Sequence, residues 1–190
     1  MVRFKGGFAP VSSPTRPFSF FAVFGLCPCW RSPAHNHLEP LDQRANKCEE
    51  QMDQEVKEFF VQYERANSSS NVSAIGDLYA DTFMFGGPNG VQAVKKEDFL
   101  KVVPKMKAHL SSMGLFETHL QTVEANPLNS EYLLARVGWR MTVRNSSGSK
   151  HVDAFATYVL VRGQRDVLSI VFQIDHQDLA AVIKDQQNSQ

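Results

Sequence analysis

Few groups in this 190-residue chain can move a proton at neutral pH, and six of them are histidines. His151 and Asp153 stand two residues apart in the alternating segment KHVDAFATYVL, on one face of a strand and about 7 Å from each other. A histidine beside a carboxylate can serve as a general base. The same pair also reads as the solvated start of a strand beside a Ser/Gly turn. His176 follows Asp175 at the end of a later strand, on the side of Leu168, Ile170, Phe172 and Ile174. That placement puts it at the rim of whatever those apolar residues enclose. His119 reads as a surface strand residue. No pair has metal-ligand spacing with a third partner, so no metal site is expected. Cys27-Pro28-Cys29 is an isolated C-x-C, and with Cys48 it accounts for all three cysteines. Beyond residue 48, therefore, the fold rests on neither a disulfide nor a thiolate metal site.

These groups need a scaffold, and the composition allows one. At 43% hydrophobic and 21% charged, the chain can bury a core as one domain with an appendage. Twenty basic residues balance twenty acidic ones, which argues against nucleic acid as a partner, because phosphate recognition draws on a basic surplus. No apolar run approaches the roughly 20 residues of a membrane span. The balance is uneven along the chain. Residues 1–38 hold Arg3, Lys5, Arg16 and Arg31 and no acid, leaving 16 basic and 20 acidic residues, a net of −4, in the remainder. Six of the nine prolines fall at positions 10, 14, 17, 28, 33 and 40, so residues 1–48 are expected to form an irregular basic arm. Two readings of the arm stand. The stretch FSFFAVFGL at 18–26 behind basic residues resembles a targeting segment, to an organelle or for secretion. Otherwise the arm is a dispensable extension of a cytoplasmic protein.

The domain is expected over 49–182, with a polar tail at 183–190. Met52, Val56, Phe59, Phe60 and Tyr63 recur at helical spacing. Asn71 can cap a short second helix carrying Val72, Ile75, Leu78 and Tyr79. Thr82–Phe85 reads as a strand stopped by Gly86-Gly87-Pro88-Asn89-Gly90. A third helix carries Phe99, Val103, Met106, Leu110 and Met113, with Pro104 predicting a kink or restart. The period then changes from 3.6 to 2, and 115–125, 131–144, 150–161 and 166–175 read as four strands of an antiparallel meander. In the second of these Leu133, Ala135, Val137, Trp139, Met141 and Val143 alternate with Arg136, Gly138, Arg140, Thr142 and Arg144. The fold class is α+β, with three N-terminal helices against a curved, mostly antiparallel sheet.

That order, together with Leu78-Tyr79-Ala80-Asp81 and the Pro88 and Gly90 that follow, resembles the nuclear transport factor 2-like (cystatin-like cone) superfamily, which includes SnoaL-like cyclases and ketosteroid isomerases. The resemblance covers about residues 50–180. It implies a conical pocket for a small, largely apolar ligand, no cofactor, and pairing of two copies through their sheets. Laying the isomerase segment on Tyr79–Gly90 puts the catalytic base at Gly87, which has no side chain. The oxyanion tyrosine falls on Tyr63, and the protonated carboxyl donor falls near Ala156. Steroid isomerisation is therefore not expected. Tyr79, Phe83, Phe85, Trp139, Met141, Phe155, Tyr158 and Phe172 are expected as core or pocket wall beside Tyr63. For catalysis the resemblance and the titratable groups leave Tyr63, His176, Asp153 and His151. Two functions stay open: a SnoaL-like pocket protein with isomerase, cyclase or hydratase chemistry, and a non-catalytic protein-binding or dimerisation module of the same fold.

Overall fold

The computed structural model describes residues 41–69, 71–88, 90–145, 148–163 and 166–188. The arm's targeting segment and the Cys27–Cys29 pair lie outside the described residues. Helix α1 (Leu41–Ser68) starts once Pro40 is passed, so residues 41–48 are helical where an irregular arm was expected. Its stripe is the expected one, with Val56 and Phe60 fully buried. Asn71 caps α2 (Val72–Gly76), its side chain accepting hydrogen bonds from the amides of Ser73 and Ala74.

Strand β1 (Tyr79–Gly87) pairs antiparallel with β2 (Gly90–Lys95) across the Pro88 turn. β2 has no counterpart in the sequence reading. It is an edge strand with one half-buried residue, Val94, so it carries no period-2 signal. Helix α3 (Lys96–Ser112) runs through Pro104 without a restart, and Gly114 at φ 92° turns the chain out of it.

β3 (Leu115–Pro127), β4 (Tyr132–Asn145), β5 (Gly148–Arg162) and β6 (Leu168–Asp175) form the expected meander. β6 then pairs in parallel with β1, giving one six-stranded sheet in the order β2-β1-β6-β5-β4-β3. A last helix, α4 (Leu179–Asn188), runs across the boundary drawn at residue 182. Its apolar residues Leu179, Val182 and Ile183 span too few positions to mark a helix against the polar residues that follow. The described residues thus hold four helices: α3 follows the first hairpin, as its place after the Gly/Pro turn predicts, and α4 at the C-terminal end adds a fourth to the three expected.

The inner face of the sheet carries two clusters. Around α1 and α2, Phe59, Phe60, Tyr79, Phe83, Trp139 and Tyr158 form a buried aromatic floor against which Tyr63 and Phe99 pack. Its rings meet at centroid separations of 4.6–6.3 Å, the range of favourable aromatic pairs. Under α4, Ile183 packs with Met141, Val143, Val152 and Ala154. The bidentate pair of Arg162 with Glu55, at 2.7 and 2.8 Å, ties β5 to α1.

One irregularity decides which residues face inward. In the β5–β6 ladder Leu160 opposes Ile170 but Val159 opposes Phe172, so β6 carries one extra residue, Val171. From there the inward phase switches. Tyr158 and Ala156, both buried, oppose Gln173 and Asp175. Phe172, Ile174 and His176 consequently lie on the outer side, opposite to the assignment made from strict alternation.

The docking of α4 gives a direct test. Ile183 is fully buried, and Ile183→Ala is expected to lower stability by about 2–4 kcal/mol in urea unfolding. A loss below about 0.5 kcal/mol, the range of exposed positions, would mean that α4 is not seated on the sheet.

Candidate functional site

Past the aromatic floor, the turn between β1 and β2, the C-terminal half of α3 and the β6–α4 junction enclose a recess of about 480 Å³. Phe85, Val91, Met106, Leu110 and Leu179 supply apolar wall, and Asp175, Asp178, His109, Gln92 and Gln177 supply polar edges. Gly87 also lines it, and a Cβ at that position would sit 4.0 Å from the backbone oxygen of Asp175. The place where the resemblance sets a base is therefore in this recess, and the carboxylate found there comes from the neighbouring strand.

Asp175 is mostly buried, and desolvation holds its pKa above the ordinary 3.8 despite a hydrogen bond from Gln173 that lowers it. Gln173 Nε2 donates to Asp175 Oδ1 at 2.8 Å, while Gln173 Oε1 accepts from the Tyr79 hydroxyl at 2.6 Å. Tyr79 has one proton and spends it on Gln173, so in the 3.1 Å contact between the two phenols Tyr63 is the donor. The chain therefore runs one way, from Tyr63 through Tyr79 and Gln173 to Asp175. Burial raises the pKa of Tyr63, Tyr79 and Tyr158, which keeps them as neutral donors.

This polarity bears on the sites read from sequence. Tyr63 has given its proton to Tyr79 and has none for a ligand's oxyanion. Tyr79, Phe83, Trp139 and Tyr158 belong to the floor, Met141 belongs to the cluster under α4, and only Phe85 of the expected pocket residues lines the recess. Phe155 and Phe172 are on the outer side. Phe155 covers Gly138, where a Cβ would meet its ring at 3.2 Å. His151 and Asp153 share the outer face of β5. Asp153 makes a bidentate pair with Arg140 at 2.9 and 3.2 Å, and that exposed pair holds its carboxyl below the usual range. His151 contacts Thr142 at 3.4 Å instead of Asp153. His176 bonds Thr157 at 2.8 Å on the same outer side. His119 is exposed between Glu64 and Glu117, which raise its pKa. Sequence reasoning gives Asp175 no role, since strict alternation places it on the face opposite Leu168, Ile170, Phe172 and Ile174. Among the described residues no cluster of three His, Cys, Asp or Glu could hold a metal, and no helix is long and apolar enough to cross a membrane.

The geometry agrees with comparison to known proteins. The family described as NTF2-like protein (DUF6841) matches residues 50–178, and the chain belongs to that family. Among solved structures it is similar to an NTF2-like protein with a cystatin-like fold from Novosphingobium aromaticivorans. They share 12% identity, covering 77% of this chain and 98% of that one, at a TM-score of 0.58. An NTF2-like protein of unknown function from Shewanella oneidensis shares 13% identity over 64% of this chain and 96% of its own, at 0.51. A protein from Catenulispora acidiphila, solved in complex with S-DNPA, shares 13% over 67% and 93%, at 0.52. Likeness at such identities establishes the cystatin-like fold alone. No protein of curated function matches the sequence significantly.

Two variants test the buried chain. Tyr79→Phe leaves Gln173 Oε1 and the Tyr63 proton unpaired, and is expected to cost about 1–3 kcal/mol of stability by urea unfolding. Asp175→Asn tests the raised pKa. With the folded value above 3.8, the folded chain binds more protons than the unfolded one between 3.8 and the raised value. Wild-type stability therefore loses this contribution as pH rises through that window. Asp175→Asn should gain on wild type as pH rises above 3.8, with no gain below it; a difference that does not change with pH would contradict the shift.

Proposed function

We propose that this chain binds a small, largely apolar molecule in the recess and that Asp175 accepts a proton from it, in chemistry of the isomerase, cyclase or hydratase type. The observation that carries this reading is a desolvated carboxylate on the wall of an apolar cavity of about 480 Å³, a volume within the range that holds small molecules. A carboxylate with a raised pKa is better matched to taking a proton near neutral pH than an exposed one. Gln173 fixes Oδ1, and no described residue donates to Oδ2, which leaves an acceptor lone pair for a substrate. Removing a proton beside a carbonyl also needs a donor for the enolate oxygen. Gln177 can provide one, since its Oε1 is engaged by the Phe155 amide at 3.0 Å and its Nε2 remains a donor.

Deuterium wash-in reads the proton step. In D₂O the full chain should exchange the α-protons of small aromatic ketones, and Asp175→Asn should slow the exchange about 10²–10⁴-fold. Met106→Trp, which fills the recess, should abolish it while leaving the fold's circular dichroism intact. Exchange indifferent to both substitutions would refute the reading.

A second reading, association through the sheet, draws on the outer face. Phe116 is 49% exposed with the Arg144 guanidinium 3.2 Å from its ring centre, and Phe155 is 39% exposed with Arg136 at 5.9 Å. Two rings carried beside cations are suited to an interface. If two copies pair there, Phe116→Lys with Phe155→Lys should shift sedimentation to the monomer. An unchanged profile removes this face.

A further inference from the structure

The charge lining the recess is one-sided. Asp175 and Asp178 contribute carboxylates, and no Lys or Arg lines the recess among the described residues. On α3, Lys96 pairs with Asp81 at 2.9 Å, Lys101 with Asp98 at 2.8 Å and Lys107 with the Ser69 carbonyl at 2.9 Å, and the exposed Lys105 does not line the recess.

Backbone dipoles reinforce the sign. α3 turns Met106, His109 and Leu110, in its C-terminal half, toward the cavity, and that end of a helix carries the negative pole. The positive end of α4 also reaches the cavity, through Leu179 and Ala180. A helix N-terminus attracts anions, but this one is already occupied: Asp178 Oδ1 accepts the amides of Ala180 at 3.0 Å and Ala181 at 3.2 Å. The chain's own carboxylate therefore fills the helix N-terminus at the recess.

From this arrangement we infer that the recess selects uncharged or cationic apolar molecules and excludes those bearing a carboxylate, phosphate or sulfate. The inference rests on the binding reading above and names the charge class of its ligand. An entering anion would meet Asp175 across partly desolvated space, with Asp178 already on the α4 amides and no Lys or Arg among the described lining residues to offset the repulsion. An alcohol or carbonyl meets no such opposition, and an ammonium gains an ionic partner in Asp175. His109 is the one basic side chain in the lining among the described residues, and it stands exposed on α3, where water surrounds it.

Three probes of like shape test the inference: 2-phenylethanol, 2-phenylethylamine and phenylacetate, each titrated into the full chain and followed through the methyl NMR signals of Met106, Leu110 and Leu179. Phenylacetate should bind at least about tenfold more weakly than the alcohol, and the amine at least as tightly as the alcohol. The gap between alcohol and carboxylate should narrow as salt rises from about 0.02 to 0.5 M, a readout that needs no variant. Asp175→Asn should narrow it as well. Phenylacetate binding within about threefold of the alcohol would overturn the inference while leaving a binding cavity in place. Silence of the three methyl signals with every probe would overturn the binding reading, and the inference with it.

Discussion

Between Ile170 and Phe172 the last strand carries one residue more than its neighbour, and the polar content of the recess depends on that extra residue. Continuous alternation from Leu168 and Ile170 would send Phe172 and Ile174 inward and leave Gln173 and Asp175 on the outside. With Val171 inserted, the two polar residues share the inner face with Tyr158 and Ala156. The displaced apolar residues are accommodated on the outer side by Gly86, where a Cβ would stand 3.3 Å from Phe172 and 3.6 Å from Ile174. A bulge in an interior strand interrupts its ladder, so it persists only where the groups it redirects are well used. Here they are: the inward amide bonds through both of its ends.

A buried amide, two buried phenols and the half-buried phenol of Tyr63 cost free energy unless each finds a partner. The direction of the chain meets that condition, and no buried side-chain nitrogen or oxygen among the described residues lacks one. Tyr63 donates to Tyr79, Tyr79 donates to Gln173, and the Gln173 amide donates in turn to a carboxylate that, when ionised, can only accept. Asp175 thus anchors the polarity of the floor, and the floor in turn holds Asp175 by one oxygen. A single hydrogen bond offsets part of the desolvation, which is why the carboxyl remains above its ordinary pKa while keeping a free acceptor toward the cavity.

What was legible in the sequence is what local periodicity can carry. The α1 stripe from Met52 to Tyr63, the alternation of Leu133 to Val143, and the turns between the four meander strands all come from contacts repeated every 3.6 or 2 residues. β2 escaped because an exposed edge strand has no buried face to pattern it. α4 escaped because one fully buried side chain, Ile183, seats it. The bulge left no trace, since VLSIVFQID reads as an unbroken apolar strand whether or not Val171 is counted twice against β5. Its consequences were the largest: His176 moved outside, Asp175 moved in. Phe155 was misplaced for a related reason, because a phenylalanine on the solvent side has to be explained by its partner, and Gly138 is 17 residues away in sequence and directly opposite in the sheet.

Gly87 and Asp175 show how the same cavity can be charged from either of two strands. They sit on β1 and β6, the parallel pair, close enough that a side chain at 87 would reach the backbone of 175. Moving the carboxylate from one strand to the other changes what lies behind it. On β1 it would stand at the rim beside the hairpin turn; on β6 it is wired through Gln173 to the aromatic floor. The phenolic protons of Tyr63 and Tyr79 both run toward Asp175, so neither is free for a ligand, the reverse of a site in which buried phenols hold an oxyanion. Under the proposed proton transfer, electrophilic help falls to the other polar side chains of the lining, Gln92, His109 and Gln177.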